Sequence, residues 1–181
     1  MLRGGFLLFA LLVACPALAF EFPGGQIEIP DDFDGPISDT VGDDTQVFAF
    51  RKQNGEGLPD AQLQITTWKP SRALPELQGE ELEAVTQSYL LQFFGGLQRT
   101  RDEVRGQTPD FIDISGARTA RMNWEGEVSG TPVRGRFYAL IHDSKVVLLH
   151  SQDMAESEKD HFERIVDALE STELTDPDSS D

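Results

Sequence analysis

The sequence predicts an α+β domain, an antiparallel sheet of about six to seven strands ending in a meander, packed with one long middle helix and one C-terminal helix. Three observations carry this. Ala117–Val128 and Thr131–His142 alternate in polarity on either side of Ser129-Gly130, a two-residue hairpin signal. Glu80–Leu97 repeats apolar residues at spacings of three and four. Phe162, Ile165, Val166 and Leu169 mark one face of a last helix running from about Glu156 to Ser171.

In chain order, Ile27-Glu28-Ile29 alternates as a short strand and stops at Pro30. Asp31–Asp44 holds six aspartates, two glycines and Pro36 and reads as a loop. Gln46–Lys52 and Ala61–Trp68 alternate as strands around the turn signal Asn54-Gly55-Glu56-Gly57. Lys69–Gln78, with Pro70 and Pro75, is a further loop. In the middle helix, Leu82, Val85, Tyr89, Phe93 and Leu97 form the expected apolar stripe, widened by Leu90 and Phe94. Glu80, Glu81 and Glu83 suit the positive end of its dipole. Gly95-Gly96 is expected to stop or fray its end. Asp153 or Ser157 is the expected cap of the last helix, and His161 is expected in solvent.

A two-residue turn at Ser129-Gly130 pairs Trp124 with Gly135, Met122 with Phe137 and Ala120 with Ala139 on one apolar face. The other face pairs Glu125 with Arg134, Asn123 with Arg136 and Arg121 with Tyr138, which predicts an ion pair and a cation–π contact. The Asp143-Ser144 turn then sets Ile141 against Val146 and Phe137 against His150. Val146-Val147-Leu148-Leu149 is apolar on both sides, so that strand belongs in the middle of the sheet.

Residues 1–19 read as a signal peptide. Arg3 precedes the apolar run Phe6–Ala14, and Ala17-Leu18-Ala19 supplies a small-x-small cleavage site before Phe20. The run is shorter than the about 20 residues that span a bilayer. Leu12-Val13-Ala14-Cys15 also resembles a lipobox, which would make Cys15 a lipidated N-terminus. Both routes place the body in the periplasm, secreted, or tethered as a membrane-anchored lipoprotein. Residues 20–175 are expected to form one domain, followed by a disordered acidic tail at 176–181.

The net charge is −17, from 32 acidic and 15 basic side chains, which disfavours nucleic acid and anionic membrane surfaces as partners. A single cysteine cannot staple a disulfide scaffold. The order of elements is similar to the PsbP-like fold, which lumenal photosystem II subunits share with bacterial DcrB-like periplasmic proteins. The similarity rests on Ile27–Phe33 as the opening strand, the Gln46–Trp68 hairpin, the Leu82–Leu97 helix, the long meander and Phe162–Val166. It implies a small exported accessory, assembly or binding protein, and transfers no functional residue.

Catalytic motifs are scarce. The chain has no nucleophile elbow, no zinc-protease helix motif and no phosphate-binding loop. No nucleophile–base–orienter set can be built around His142, His150 and His161, and His150 falls on the apolar face. The chain therefore reads as a non-enzyme without a cofactor. Asp31, Asp32 and Asp34 are the metal candidates, but they lack the spacing of a calcium loop and read first as solvated acids. Charge is uneven, with segment 99–136 carrying 7 arginines against 6 acids inside an otherwise acidic chain. Arg121, Arg134, Arg136 and Tyr138 share one face of the meander, and their composition is that of a protein-binding hot spot.

These features point to an exported accessory or binding protein of the bacterial cell envelope whose partner is another envelope protein or peptide. The alternatives are a periplasmic inhibitor or immunity protein against a secreted toxin and, third, a small hydrolase. Intact-mass measurement of the exported protein is expected to show a start at Phe20. A start at acylated Cys15 would establish the lipoprotein, and a retained Met1 would exclude both routes.

Overall fold

The turn at Ser129-Gly130 fixes the architecture, because the two longest strands meet there. Ser129 and Gly130 both adopt left-handed conformations, with φ of 52° and 77°, which matches the twist of the flanking strands. Strands β8 (Ala117–Val128) and β9 (Thr131–His142) pair as the sequence requires, with Met122 opposite Phe137 and Trp124 opposite Gly135. The next turn brings β10 (Lys145–Met154) against β9, with Ile141 opposite Val146 and Phe137 opposite His150. The computed structural model describes residues 19–175 apart from Ala73, Pro75, Glu158 and Asp160. The rest of the expected signal peptide, with Cys15, and the tail from 176 lie outside the described residues.

The remaining strands are β1 (Ala19–Phe22), β2 (Gly25–Glu28), β3 (Asp34–Val41), β4 (Thr45–Lys52), β5 (Ala61–Trp68), β6 (Asp102–Gly106), β7 (Asp110–Ile114) and β11 (Glu173–Leu174). The helices are α1 (Gly79–Gln98) and α2 (His161–Glu170). The main sheet has eight strands in the order β3-β4-β5-β10-β9-β8-β6, and β7 also pairs with β8. β7 takes the first half of β8 and β6 the second. A small sheet, β1-β2-β11, shares no ladder with it. Every pairing is antiparallel. The fold class is the expected α+β.

Each sheet face has its own core. Leu90 and Phe94 of α1 pack on Ala120, Met122, Trp124, Phe137, Ala139, Val146 and Leu148. Ile165, Ala168 and Leu169 of α2, with Phe22 and Ile27 of the small sheet, pack on Leu63, Ile65, Tyr138, Leu140, Val147 and Leu149. β10 is thus enclosed by helices on both sides, and its residues Val146–Asp153 are all buried. Two glycines permit close approach. A Cβ on Gly135 would run into the Trp124 ring and the Ser151 carbonyl. A Cβ on Gly106 would stand 2.9 Å from Phe94 Cζ and 3.0 Å from Met122 Sδ.

Several local expectations are corrected. The stretch Asp31–Asp44 is not all loop, since Asp34–Val41 forms strand β3 at the sheet edge. Pro36 is tolerated there because an edge strand need not donate every ladder bond. The Gly95-Gly96 pair does not end α1, which continues to Gln98 and finishes with the Arg99 N–H donating to the Gly96 carbonyl and the Thr100 N–H to the Leu97 carbonyl. The fully buried line of α1 is Thr86, Leu90 and Phe94, while Leu82, Val85, Tyr89, Phe93 and Leu97 flank it half-buried. α2 begins at His161, not near Glu156, because β10 runs on to Met154. Asp153 caps no helix. It is buried in β10, where its Oδ1 accepts from Asn54 Nδ2 at 2.7 Å and from the Met154 N–H at 2.8 Å. Ser157 accepts the Lys159 N–H at 3.1 Å.

Phe137 is the hub of the α1-side core. Its ring stacks on His150 with centroids 4.2 Å apart and meets Phe94 edge-on at 6.5 Å. Phe137→Ala is expected to destabilise the fold by about 3–5 kcal/mol, measured by denaturant unfolding. Gly135→Ala is expected to cost at least about 1–3 kcal/mol through overpacking against Trp124. A loss under about 1 kcal/mol in both variants would show that this face is not packed as described.

Candidate functional site

The register of β8 and β9 puts Arg121, Arg134, Arg136 and Tyr138 on one face, and they do lie together there. That face is not open. The amphipathic helix α2 buries Phe162, Ile165, Val166 and Leu169, and it lies across the same side of the sheet. Its last residue, Glu170, sits among the candidate residues. Glu170 Oε1 accepts the Tyr138 hydroxyl at 2.7 Å and the Arg136 Nη1 at 3.2 Å, and lies 3.6 Å from Arg121 Nη1. Arg136 also donates to Asn123 Oδ1 at 2.6 Å. Arg121 makes a two-pronged contact with Asp110 of β7, at 2.9 and 2.6 Å.

At the other end of α2, Arg134 lies over the Phe162 ring at 4.4 Å and Arg136 at 5.9 Å. The expected Glu125–Arg134 ion pair is therefore replaced by a cation–π contact, and Glu125 stays exposed. The expected Arg121–Tyr138 cation–π contact gives way to the ion pairs with Asp110 and Glu170. Tyr138 has no exposed surface. Burial of its phenol, above all, pushes its ionisation upward, so it remains a hydroxyl donor. The cluster has the composition of a carboxylate-binding surface, and the carboxylate it binds belongs to its own last helix. Glu170 escaped the sequence reading because it is 32 residues from Tyr138, and only the flanking of the α2 apolar stripe hinted at it.

The histidines are dispersed. His150 is fully buried between Trp124 and Phe137, with centroids 5.6 and 4.2 Å away. Desolvation, helped by the charge of Arg101, lowers its pKa to about 3, so it is a neutral core ring near neutral pH. His161 is buried against Phe33, edge-on at 6.1 Å, and not in solvent as expected. His142 Nε2 lies 2.7 Å from the Thr175 carbonyl.

Among the metal candidates, Asp32 is held by Arg164 at 2.6 Å and lies 3.5 Å from Lys52. The Arg164 hydrogen bond, chiefly, keeps its carboxyl at about 2. Asp34 stands opposite Arg51 at the start of β3. Asp31, Asp32 and Asp34 do not converge, and no group of three potential ligands does so among the described residues. Asp32 instead clamps the β2–β3 connection to α2.

Among the described residues, the most exposed edge of the main sheet is the outer side of β3. All eight of its residues are exposed. Ile37 and Val41 are exposed by 54% and 60%, the two highest values among the large apolar side chains of the described residues. Asp39 lies between them on the same side of the strand, by the alternation of the pleat. The composition of this stretch concealed it, because aspartate, glycine and proline are the usual marks of a loop.

No protein-family model matches the chain, and no curated protein does. Solved structures with a similar course include PA94 of Pseudomonas aeruginosa, a protein of unknown function. It has 13% identity and a TM-score of 0.49, over 84% of this chain and 93% of that one. A second is LpqN of Mycobacterium tuberculosis, described as involved in cell envelope biogenesis. It has 12% identity and a TM-score of 0.46, over 86% of this chain and 87% of that one.

The shared acceptor Glu170 gives the cluster a direct test. Glu170→Ala leaves the buried Tyr138 hydroxyl with only the 3.4 Å contact from Arg136, and takes the counter-charge from two guanidiniums. Unfolding by denaturant is expected to show a loss of about 1–3 kcal/mol, with Glu170→Gln recovering part of it. An unchanged midpoint in Glu170→Ala would mean that α2 docks through its apolar face alone.

Proposed function

We propose that this chain is an exported, non-enzymatic accessory or binding protein of the bacterial cell envelope that acts by binding another protein or peptide. The observation that carries this reading is the edge strand β3, where Ile37 and Val41 stand in solvent on a strand with one unpaired side. Exposed edges of this kind are aligned for pairing with another chain. The apolar run and Ala17-Leu18-Ala19 support export, and Cys15 offers lipid anchoring as the second route. No helix among the described residues is long and apolar enough to cross a membrane. The resemblance to the PsbP-like and DcrB-like group supports an accessory role. The arginine cluster contributes less than its composition suggests, because α2 already fills it.

The net charge of −17 favours one second reading, an inhibitor or immunity protein whose acidic surface masks a basic active site on a secreted toxin. One experiment separates the two. The tagged chain is expressed in its native envelope, crosslinked, captured and identified by mass spectrometry, with excess untagged chain as competitor. The expected result is one envelope protein enriched and removed by the competitor. Competable enrichment of a basic secreted toxin would favour the inhibitor, and no competable enrichment would overturn both.

A further inference from the structure

Resting on the binding reading above, we infer that β3 is a docking edge for an extended basic segment of the partner, which adds to the main sheet as a ninth strand beside Ile37–Val41. Three observations define that segment.

The first is the direction of the backbone groups. The Thr40 N–H donates to the Asp39 carboxylate, 2.8 Å away, and so points off the sheet. In an antiparallel ladder, the groups of alternate residues face the same neighbour. Thr40, and with it Ser38, therefore present their N–H and C=O groups on the open side. The second is length. Pairing with β4 is regular from Ile37 to Val41, but the register shifts between Asp34 and Ile37, where Pro36 lies. An added strand is thus limited to about five residues. The third is charge. Asp39, Asp43 and Asp44 lie on or just beyond β3, and none takes part in an ion pair among the described residues.

Strand addition gives affinity through main-chain bonds and specificity through alternate side chains. The side chains here, on one face, are Ile37, Asp39 and Val41. The matching segment carries an apolar residue, a lysine or arginine, and an apolar residue at alternate positions. The basic side chain meets Asp39 and releases the Thr40 N–H for pairing. A second copy of this chain fits poorly, because β3 against β3 brings Asp39 near its own counterpart within two chains of charge −17.

The test uses the isotope-labelled exported chain and a capped peptide with the core Val-Thr-Lys-Thr-Val, together with a matched peptide carrying Glu in place of Lys. The lysine peptide is expected to shift the amide resonances of residues 37–41 and to slow hydrogen exchange at Ser38 and Thr40. The glutamate peptide is expected to bind at least about fivefold more weakly. Thr40→Pro removes one open-side donor without touching the β4 ladder, and Val41→Lys removes an apolar contact. Each is expected to abolish the shifts while the rest of the spectrum stays folded. Shifts mapping elsewhere, equal binding of the two peptides, no shifts at millimolar peptide, or a dimer dissolved by Thr40→Pro would overturn the assignment. Envelope capture by the two variants separates this outcome from failure of the broader reading. A Thr40→Pro chain that still captures the native partner leaves the binding role standing and removes β3 from it.

Discussion

The first half of strand β10, Val146–Leu149, has no polar side to turn toward water. Val146 and Leu148 face α1, while Val147 and Leu149 face α2, and all four are buried. A strand of this kind must be covered twice, so both helices are obligatory and lie on opposite faces of the sheet. The placing of β10 between β5 and β9 follows from the same need, since the middle of the sheet is where both covers reach. The closing of the arginine face is a further result. The helix that shields Val147 and Leu149 also runs over Tyr138, which lies beside Leu149 on β9, and over Arg136 two residues before it.

The parts of this fold that were legible in the sequence are those fixed by neighbours in the chain. A two-residue turn sets its register locally, so the pairing of Trp124 with Gly135 and of His150 with Phe137 follows from counting. What was hidden depends on distant partners. Residues 102–114, forming β6 and β7, are strands because β8 is long enough to pair with both. β3 is a strand because β4 offers it an edge, against its own loop-like composition. The burial of His161 comes from Phe33, and the filling of the arginine cluster from Glu170, neither visible in local periodicity. The residues of the candidate cluster were identifiable, but not the lid over them. β3, by contrast, was missed altogether.

The arginine-rich segment 99–136 is largely engaged within the molecule. Arg118 meets Glu83 and Asp113, Arg121 meets Asp110, and Arg136 meets Glu170. Arg101 lies over the Trp124 ring at 5.6 Å and donates to Gln152. Such pairs are individually weak when solvent reaches them, and their collective effect is to orient β7 and the helices on the sheet. Three of the seven arginines, Arg118, Arg121 and Arg136, thus turn toward the protein's own acids. The net charge of −17 and the carboxylates of the β3–β4 turn, unpaired among the described residues, leave an excess of negative charge at that edge.

The small sheet has a consequence for the two ends of the described residues. β2 is flanked by β1 on one side and β11 on the other, and the Thr175 N–H donates to the Gly24 carbonyl at 3.2 Å. The first and last described strands are therefore fastened to the same four-residue strip, and Phe20 of β1 holds the small sheet against the main sheet through Phe48 and Phe50, at 5.2 and 5.0 Å. Topologically the domain is a nearly closed ring. It could be joined end to end and reopened at an exposed turn such as Ser129-Gly130, or inserted whole into a loop of another protein, without moving its core. Any tether upstream of Phe20 pulls on β1, which pairs with the same strand that receives β11, so both ends of the described residues share a single anchorage.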